Sequence, residues 1–468
     1  MKKNLFMVAA VALIATVSCN KELENNSVQG PASDVVFVAE LEQPGDDVEV
    51  AAPAAAQTKT ALGSTTNGVT AVNWVGNEKV SINGVEFTTT STGAKATFTT
   101  TKTFDKTAAK FDAIYPASAG TTLTAVTIPA SQKGTFAEAA ISVATSTTTS
   151  LSFKNLASIL KFQVPADCSE VTIESDSNLA GTCSVTFTNG LPVIGSTITN
   201  ASKKITLKGT FVTGTDYYVA VLPGEKDCFE VRIDKYLSKA AAKVKTARAT
   251  ISKMNTLPAA VKSKYKIIGG FNSWNMSSTY FYDEGAYYVA RNVKIGTSEF
   301  LFHDGSKYIK GPSNVSINNW EYIWGENSQN IKITGASSSA AYDVYLDKLT
   351  KRFYITSTGS AAPTTYKLYI QIENNSWSDY YIYAWANFDN NAYDGVWGSW
   401  QQCPSYNLSK SGNVKYLYMR FPSFYNSKSV GFKLSNKGGS GESSEISNVT
   451  LNADMKYKMN NTTLSKLN

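Results

Sequence analysis

Residues 375–400 read NSWSDYYIYAWANFDNNAYDGVWGSW, and this stretch carries four of the eight tryptophans of the chain. Its middle, residues 380–385, has the pattern of a β-strand. Successive side chains of an extended chain face opposite sides, so alternate residues here would share one face. Ile382 and Ala384 share the face that is better suited to a core. The other face would carry a row of partly exposed aromatic rings: Tyr381, Tyr383 and Trp385. Such a row suits a sugar chain, whose apolar ring faces stack on aromatic side chains, whereas ordinary packing inside a sandwich is the competing interpretation.

The composition favours β-structure along the whole chain. Its 468 residues are too many for one core and fit roughly three domains of ordinary size. Helical patterns are scarce, and the alanine–lysine run at residues 239–245, which could form a loop helix, is one of the few. A net charge of +7, from 44 Lys and Arg against 37 Asp and Glu, is too mild and too dispersed for a nucleic-acid partner. We therefore predict an all-β, multidomain protein that does not bind nucleic acid.

The N-terminus has the shape of a bacterial secretory signal. Two lysines precede the apolar run at residues 5–17, which is too short to span a bilayer. The sequence Ala-Thr-Val-Ser-Cys at residues 15–19 resembles the lipobox, in which the cysteine is diacylated and becomes the new N-terminus. Thr16 departs from that pattern, since leucine is usual three residues before the cysteine, so ordinary cleavage is the alternative. The resemblance implies a lipoprotein signal peptide at residues 1–18 and lipid attachment at Cys19.

The residues that follow would place the protein on the outside of the cell. Residues 19–57 are rich in Ala, Pro, Glu and Val and predict a flexible tether. Within it, Asn-Lys-Glu-Leu-Glu at residues 20–24 resembles the charged tag that sends lipoproteins of the Bacteroidota to the outer face of the outer membrane; a solvated tether is the plain alternative. No later run is apolar enough to cross a membrane, so we expect a lipid-anchored outer-membrane protein that faces the cell exterior. Export would also permit disulfides, and Cys168 could pair with Cys183 or with Cys228.

Short alternating segments, separated by Gly, Pro and Asn, begin near residue 58 and predict β-sandwiches. Four sequence segments in this region resemble segments of the fimbrillin-like proteins of the Bacteroidota and occur in the same order. They are VNWVGNEKV at residues 72–80, AIYPAS at 113–118, LSFKNLASILKF at 151–162 and YYVAVLPG at 217–224. The resemblance covers residues 58–258 and implies two transthyretin-like β-sandwich subdomains that meet near residue 165. Some members polymerise by donor-strand exchange after cleavage at an arginine. Residues 57–60 (QTKT) hold no arginine, which argues against polymerisation as a shaft subunit.

Aromatic residues concentrate after residue 264, where seven of the eight tryptophans and 21 of the 25 tyrosines lie. Residues 265–357, with GGFNSW at 269–274, resemble the starch-binding modules of outer-membrane lipoproteins in the starch utilisation system. The resemblance implies an immunoglobulin-like β-sandwich whose aromatic side chains stack on sugar, with Asn272 or Lys307 bonding hydroxyl groups. The stacking residues would be Trp274, Trp320, Tyr322 and Trp324. The competing interpretation is that Trp274 fills the core.

Residues 364–468 resemble the starch-binding modules of carbohydrate-binding family twenty-six, which implies a second immunoglobulin-like β-sandwich. The matching positions are Asn375, Trp377, Tyr381, Tyr383, Trp385 and the segment VGFKLSNK at residues 430–437. In that family a strand aromatic and a tryptophan flank a curved α-1,4-glucan. Their counterparts in this chain would be Trp377, Tyr383 and Trp385. The Asp-Gly at residues 394–395 departs from the family, which has proline and glycine there.

Motifs for catalysis, metals and cofactors are missing from the sequence. Glycoside hydrolysis would need two carboxylates about 5 to 9.5 Å apart beside a sugar cleft, and no acidic residue lies in a recognisable catalytic motif. The single histidine, His303, is expected at the end of a strand that enters a turn, and no CxxC pair is present. Residues 389–395 resemble a calcium loop only weakly, and a solvated turn is favoured. We therefore predict a protein that is not an enzyme and that uses no metal and no cofactor.

Together these features favour a cell-surface lipoprotein that binds carbohydrate through its C-terminal modules, with the fimbrillin-like region as a spacer. The favoured ligand is α-glucan, as starch or maltooligosaccharides. A fimbrial tip or accessory adhesin subunit is the alternative, and a glycoside hydrolase is less favoured. The partners that follow are a polysaccharide or oligosaccharide, the outer membrane through the lipid anchor, and other surface proteins of glycan uptake or of fimbriae.

Overall fold

The structure is a computed structural model that describes residues 35–42, 61–66, 69–254, 256–320, 322–323, 329–348, 352–377, 380–388, 392–393, 401–402, 405–407, 415–423, 429–436, 440–450 and 452–467. Within these ranges the regular secondary structure is almost entirely β-strand, and helix is limited to one short α-helix and short 3-10 turns. The predicted all-β, multidomain class is therefore confirmed. No described helix is both long and apolar enough to cross a membrane. Cys19, the predicted lipid-attachment residue, lies outside the described residues.

The N-terminal region, up to residue 258, is made of short strands and a few long hairpins. Its strands are β1 Phe37–Leu41, β2 Ala61–Thr66, β3 Val69–Asn73, β4 Lys79–Ile82, β5 Val85–Thr89, β6 Lys95–Thr99, β7 Phe111–Tyr115, β8 Val126–Ile128, β9 Ser131–Gln132, β10 Ser142–Ser146, β11 Ser150–Asn155, β12 Ser158–Phe162, β13 Cys168–Glu174, β14 Ala180–Thr188, β15 Leu191–Ser202, β16 Lys204–Phe211, β17 Tyr217–Val221, β18 Gly224–Ile233, β19 Tyr236–Thr246 and β20 Ile251–Lys253. A 3-10 turn spans Ala117–Ala119. The helix α1 spans Phe136–Ala139 and begins after Thr135, whose side chain accepts a hydrogen bond from the backbone of Glu138, as an N-cap does.

A closed seven-stranded barrel forms the first part of this region, in the order β1-β11-β10-β7-β4-β5-β6. The strand β1 closes it by running parallel to β11 and antiparallel to β6. Alternation explains this position, because Phe37, Ala39 and Leu41 are buried while the residues between them face water. The indole nitrogen of Trp74 donates to the carbonyl oxygen of Ala39 at 3.0 Å, which ties β1 to the aromatic centre of the barrel.

Three main sheets complete the N-terminal region: β17-β12-β20, β19-β18-β13-β16-β9 and β15-β14-β8. The sequence predicts one boundary near residue 165, but β8 and β9, which precede that point, pair with β14 and β16 beyond it. The two predicted subdomains are therefore interleaved, and their buried side chains form one continuous core from Phe37 to Leu257. Residues 239–245 belong to β19, so the loop helix considered for them is wrong.

Cys168 and Cys183 are both free thiols, so neither disulfide considered for Cys168 is formed. The sulfur of Cys183 lies 3.5 Å from the carbonyl oxygen of Val126, inside the core. Burial raises the pKa of each thiol to about 11. Both side chains therefore serve packing in their reduced form, as buried cysteines commonly do.

The first C-terminal module is built on one large sheet. Its strands are β21 Lys262–Gly269, β22 Tyr280–Asp283, β23 Tyr287–Val293, β24 Phe300–His303, β25 Tyr308–Ile309, β26 Asn314–Val315, β27 Tyr322–Ile323, β28 Lys332–Ile333, β29 Tyr342–Asp347 and β30 Arg352–Ser357. Eight of them form a sheet in the order β25-β24-β21-β22-β23-β29-β30-β27, and β26 pairs with β28 beside it. A 3-10 turn, Gly270–Asn272, follows β21. Aromatic and branched side chains such as Phe281, Phe302 and Phe353 fill the core between these layers.

The last module is a two-layer sandwich. Its strands are β31 Thr365–Glu373, β32 Tyr381–Phe388, β33 Ala392–Tyr393, β34 Gln401–Gln402, β35 Ser405–Asn407, β36 Lys415–Pro422, β37 Ser429–Asn436, β38 Ser440–Glu442, β39 Ile446–Thr450, β40 Met455–Asn460 and β41 Thr463–Lys466. One layer has the order β35-β36-β31-β40-β41; the other has β33-β32-β37-β38, with β34 paired to β32 and β39 to β37. Residues at every second position of β31, such as Leu368 and Ile370, pack against Ile382 and Phe432 of the opposite layer.

A buried ionic cluster joins the first C-terminal module to the N-terminal region. Arg232 of β18 donates to the carboxylate of Glu284, whose side chain is fully buried in the turn between β22 and β23. The same carboxylate accepts a hydrogen bond from the backbone N–H of Leu237 at 2.7 Å, and Arg291 lies 3.9 Å from it. A buried carboxylate needs this number of partners, because an unpaired buried charge costs several kcal/mol. The junction between the module and the N-terminal region is therefore specified by these buried ion pairs as well as by surface contact.

The last module folds back onto the same N-terminal region. Lys367 of β31 donates to the carboxylate of Asp176, in the loop after β13. The strand β19, which forms the edge of its sheet, lies against β22 of the first C-terminal module and against β35 and β36 of the last. Both modules are thus docked on the N-terminal region.

Candidate functional site

The strand β32 positions the predicted row of aromatic rings. It runs antiparallel to β37, with Ile382 opposite Leu434, and both of these side chains are buried. The alternate residues of β32 therefore lie on the outer face of the sheet, and each is partly exposed. These residues are Tyr381, Tyr383 and Trp385. The prediction that the side carrying Ile382 forms the core is confirmed.

Two of these rings form a bent platform. The ring centroids of Tyr383 and Trp385 are 6.1 Å apart, and the ring planes are inclined by 47°. Neighbours at positions i and i+2 of a strand stand side by side on one face, so the strand itself sets this spacing. Aromatic rings held in this way offer an apolar surface with little conformational entropy left to lose on binding.

The position of the Trp385 indole depends on a glycine in the neighbouring strand. Gly431 of β37 lies directly opposite Trp385, and a Cβ at position 431 would come within 2.1 Å of Cε2 and 2.3 Å of Nε1 of the indole. The indole therefore occupies the space that a side chain would need, which only glycine leaves open. One side of the Trp385 ring is therefore covered by the β37 backbone.

Charged groups stand beside the platform. Lys433 lies opposite Tyr383 in the ladder, and its ammonium is 2.6 Å from a carboxylate oxygen of Glu442 on β38. Both side chains are partly exposed, so the pair is of the surface type, which contributes only about 0–1 kcal/mol to stability. The ammonium offers hydrogen-bond donors and the carboxylate offers acceptors close to the rings, which is what the hydroxyl groups of a sugar require.

Trp377 packs beside the core of the module. Its ring centroid is 5.8 Å from that of the buried Tyr380, and the side chain packs against the core of the module. Asn375 holds it there, because its side-chain oxygen accepts from the backbone N–H of Trp377 at 2.9 Å and from the hydroxyl of Tyr380 at 3.0 Å. A Cβ at position 441 of β38 would lie in van der Waals contact with the indole, 3.8 Å from Cζ2. Trp377 is therefore held against Tyr380 by Asn375, and its grouping with Tyr383 and Trp385 stays a prediction.

Trp274 of the first C-terminal module is an exposed aromatic residue in the turn after β21. The residue is 43% exposed, so the interpretation that it fills the core is wrong. Its backbone has a φ of +59°, which is uncommon for a bulky side chain, and its N–H donates to the carbonyl oxygen of Gly269 at 2.9 Å. Asn272 builds this turn: its side chain accepts from the N–H of Gly269 and donates to Ile267 and Ser278. Asn272 therefore positions Trp274, and its amide is already engaged within the protein.

Trp320 and Tyr322, two other predicted residues of this module, are used for packing. Trp320 is 9% exposed and stacks on Tyr354, with ring centroids 5.0 Å apart. Tyr322 stacks on Phe353 at 5.8 Å, and its hydroxyl accepts a hydrogen bond from the backbone of Ser316 at 2.8 Å. Little ring surface of Trp320 is left for a ligand, so its predicted stacking role loses its physical basis. Trp324 lies outside the described residues, as do Asp389 and Asp394 of the weak calcium-loop motif.

His303 ends β24, as predicted, and is buried. Its Nδ1 accepts a hydrogen bond from the backbone N–H of Gly305 at 3.0 Å, so it fixes the turn that follows. Asp304 caps the same turn, and hydrogen bonds from the backbone N–H groups of Lys307 and Ser306 lower its pKa to about 2. The side chain of Lys307 is exposed at this turn. Across the part of the chain that the structure describes, no three His, Cys, Asp or Glu side chains are grouped so that they could hold a metal ion.

Sequence reasoning missed three members of the outer face: Gly431, Lys433 and Glu442. The signal for Gly431 was present, because a glycine inside an otherwise regular strand often marks a close approach by another group. The charged pair could not be found in this way, since it depends on which residues of β37 and β38 lie opposite one another.

Comparisons with known proteins add little to this geometry. No protein-family profile matches the chain, and no curated protein matches it. Among solved structures, the full-length major pilin SpaD from Corynebacterium diphtheriae aligns with 66% of this chain and 98% of its own length, at 8% sequence identity and a TM-score of 0.15. A similarity at this level carries no argument about function.

Proposed function

We propose that this protein is a cell-surface carbohydrate-binding protein whose last module binds α-glucan, as starch or maltooligosaccharides. The observation that carries the proposal is the pair formed by Tyr383 and Trp385, two partly exposed rings 6.1 Å apart on the outer face of β32. The row extends to Tyr381, and the ion pair of Lys433 and Glu442 borders it.

The shape of the platform favours a curved glycan over a flat one. The planes of the two rings are inclined by 47°, so two sugar rings that stack on them must also be inclined to each other. A helical α-glucan meets this requirement, whereas a flat, extended chain would contact one ring well and the other poorly. Shape supports α-glucan here, and the polar pair supports hydroxyl-rich ligands in general.

Trp274 would provide a second contact on the first C-terminal module. It is exposed, and the turn that carries it is held by Asn272. Because both modules are docked on the same N-terminal region, a long polysaccharide could engage both contacts and bind with higher avidity.

The remaining parts of the proposal concern where the protein acts. We propose that residues 1–18 are a lipoprotein signal peptide, that Cys19 carries the lipid, and that the N-terminal region is a spacer which lifts the binding face away from the outer membrane. We propose binding and not hydrolysis; release of reducing sugar from amylose by the purified protein would overturn that part.

Affinity electrophoresis in gels that contain amylopectin tests the glycan proposal. The full chain should be retarded, and the variant Tyr383→Ala/Trp385→Ala should lose most of the retardation. Tyr308→Ala is the matched control, because Tyr308 is a 60% exposed tyrosine of the first C-terminal module that belongs to no proposed contact. The proposal would be contradicted if the unchanged protein were not retarded, or if the double variant were retarded as much as the unchanged protein.

A fimbrial tip or accessory adhesin subunit is the second candidate function. The observation that favours it is the place of β1, a five-residue strand that completes the barrel between β6 and β11 and could be replaced there by a strand of another subunit. Fractionation separates the two candidates. An adhesin subunit would be found in sheared fimbriae, whereas presence in outer-membrane vesicles alone would count against it.

A further inference from the structure

A half-open cavity of about 440 Å³ lies in the N-terminal region, far along the chain from the aromatic platform. Its volume is within the roughly 300–1,000 Å³ range of small-molecule sites. Apolar side chains from several elements form most of the wall: Leu156, Pro192, Ile194, Ile198, Leu222 and Pro223. Three of these six side chains, Pro192, Ile194 and Ile198, come from the single strand β15.

A buried lysine forms the polar end of the cavity. Lys226 of β18 is 3% exposed and lines the cavity together with Ser177 and Asn178. Its ammonium donates to the carbonyl oxygen of Asn178 at 2.9 Å and to that of Pro223 at 3.5 Å. Within the described residues both partners are neutral, and no carboxylate compensates the charge. An ammonium has three N–H donors, so two contacts leave one donor for a ligand.

The second cation of the cavity wall is already paired. Arg248 lines the cavity, but its guanidinium bonds the carboxylate of Glu42, next to β1, and the carbonyl oxygen of Asn155. The charge of Arg248 is therefore balanced within the protein. Lys226 is the group that a bound anion would satisfy, because a buried charge without a counter-ion is costly.

We propose that this cavity binds a small amphipathic monoanion, an organic carboxylate with an apolar tail, whose carboxylate pairs with Lys226 and whose tail lies along the apolar face of β15. Burial lowers the pKa of Lys226 to about 8, so the ammonium form still prevails at pH 7. A carboxylate beside it would supply the missing charge, and the apolar wall would exclude water from the tail. This site does not depend on the glycan face.

Isothermal titration of the full chain at pH 7 with two probes of equal tail length tests the proposal. Decanoate carries the carboxylate, and 1-decanol has the same tail without charge. Decanoate should bind with saturation and at least about 10-fold more tightly than 1-decanol, since a charge-assisted hydrogen bond accounts for such a factor. The variant Lys226→Met should bind both probes equally.

Two further variants keep the test decisive. Lys208→Met removes an exposed lysine from β16 of the same region and should bind decanoate as the unchanged protein does. Ile194→Trp fills the cavity while keeping Lys226, and it should abolish binding of both probes even if Lys226→Met fails to fold. Absence of saturable decanoate binding, equal affinity of the unchanged protein for the two probes, or full binding by Ile194→Trp would overturn the proposal.

Discussion

Trp385 lies where a side chain at position 431 would have to go: a Cβ on Gly431 would come within 2.1 Å of the indole. The two residues face each other across the ladder of β32 and β37. The orientation of a candidate binding residue is thus set by the absence of a side chain in the next strand.

Gly431→Ala is therefore expected to displace the Trp385 ring. The added methyl group overpacks the contact, which should cost about 1–3 kcal/mol of the free energy of unfolding, and it should weaken retardation by amylopectin about 10-fold. Gly209→Ala is the control, because a Cβ on Gly209 of β16 would meet no atom within 4 Å. Unchanged retardation of Gly431→Ala would show that the ring orientation does not matter for binding.

Trp274 and Trp320 of the first C-terminal module should respond differently to removal. Trp320→Ala leaves a cavity under Tyr354 and should cost about 3–5 kcal/mol of the free energy of unfolding in chemical denaturation. Trp274→Ala removes an exposed ring and should change stability by no more than about 0.5 kcal/mol while it reduces retardation by amylopectin. A stable Trp320→Ala variant with normal folding would contradict this assignment.

The buried pair of Arg232 and Glu284 should hold the first C-terminal module in place. Arg232→Met leaves the carboxylate of Glu284 without its main partner, so it should cost about 3–5 kcal/mol and loosen the junction. Limited proteolysis should then cut near residue 258 faster than in the unchanged protein. Lys79→Met breaks the exposed pair of Lys79 and Glu86 and serves as the control, with no expected change in cutting or in Tm.

Lys226 should make stability depend on alkaline pH. Its pKa is about 8 in the folded protein because of burial, and an unfolded lysine has a pKa of about 10.4. Between these values the unfolded chain binds more protons, so this residue makes the free energy of unfolding rise as the pH increases from about 8 to 10. The stability difference between the unchanged protein and Lys226→Met should therefore shift by about 1–3 kcal/mol across that range, as measured by urea denaturation. A constant difference across the range would show that the lysine is not desolvated.

Local patterns predicted the faces of strands well and the contacts between strands poorly. The alternation around Ile382 and Tyr383 was enough to assign the inner and the outer face of β32. The contact of Trp385 with Gly431 could not be predicted, because it depends on the register between two strands that lie more than forty residues apart. Register is a property of the folded sheet, which residue periodicity does not specify.

The same limit applies to exposure and to strand propensity. Trp274 and Trp320 are equally aromatic in sequence, yet one is exposed in a turn and the other stacks on Tyr354. Residues 239–245 have a helical composition, yet they form part of β19, because pairing with β18 outweighs their intrinsic preference. Burial by distant segments decided the exposure of the two tryptophans, and pairing with the strand β18 decided the conformation of residues 239–245.

The position of β19 bears on how the chain avoids self-association. An edge strand presents unpaired N–H and C=O groups that invite pairing with another molecule. Here β22, β35 and β36 contact β19, so we expect the two C-terminal modules to hinder pairing at that edge. A shortened chain that ends at residue 258 would present the edge to solvent and should form dimers or larger aggregates, whereas the full chain should stay dispersed. The C-terminal modules thus oppose self-association of the N-terminal region through its edge strand β19.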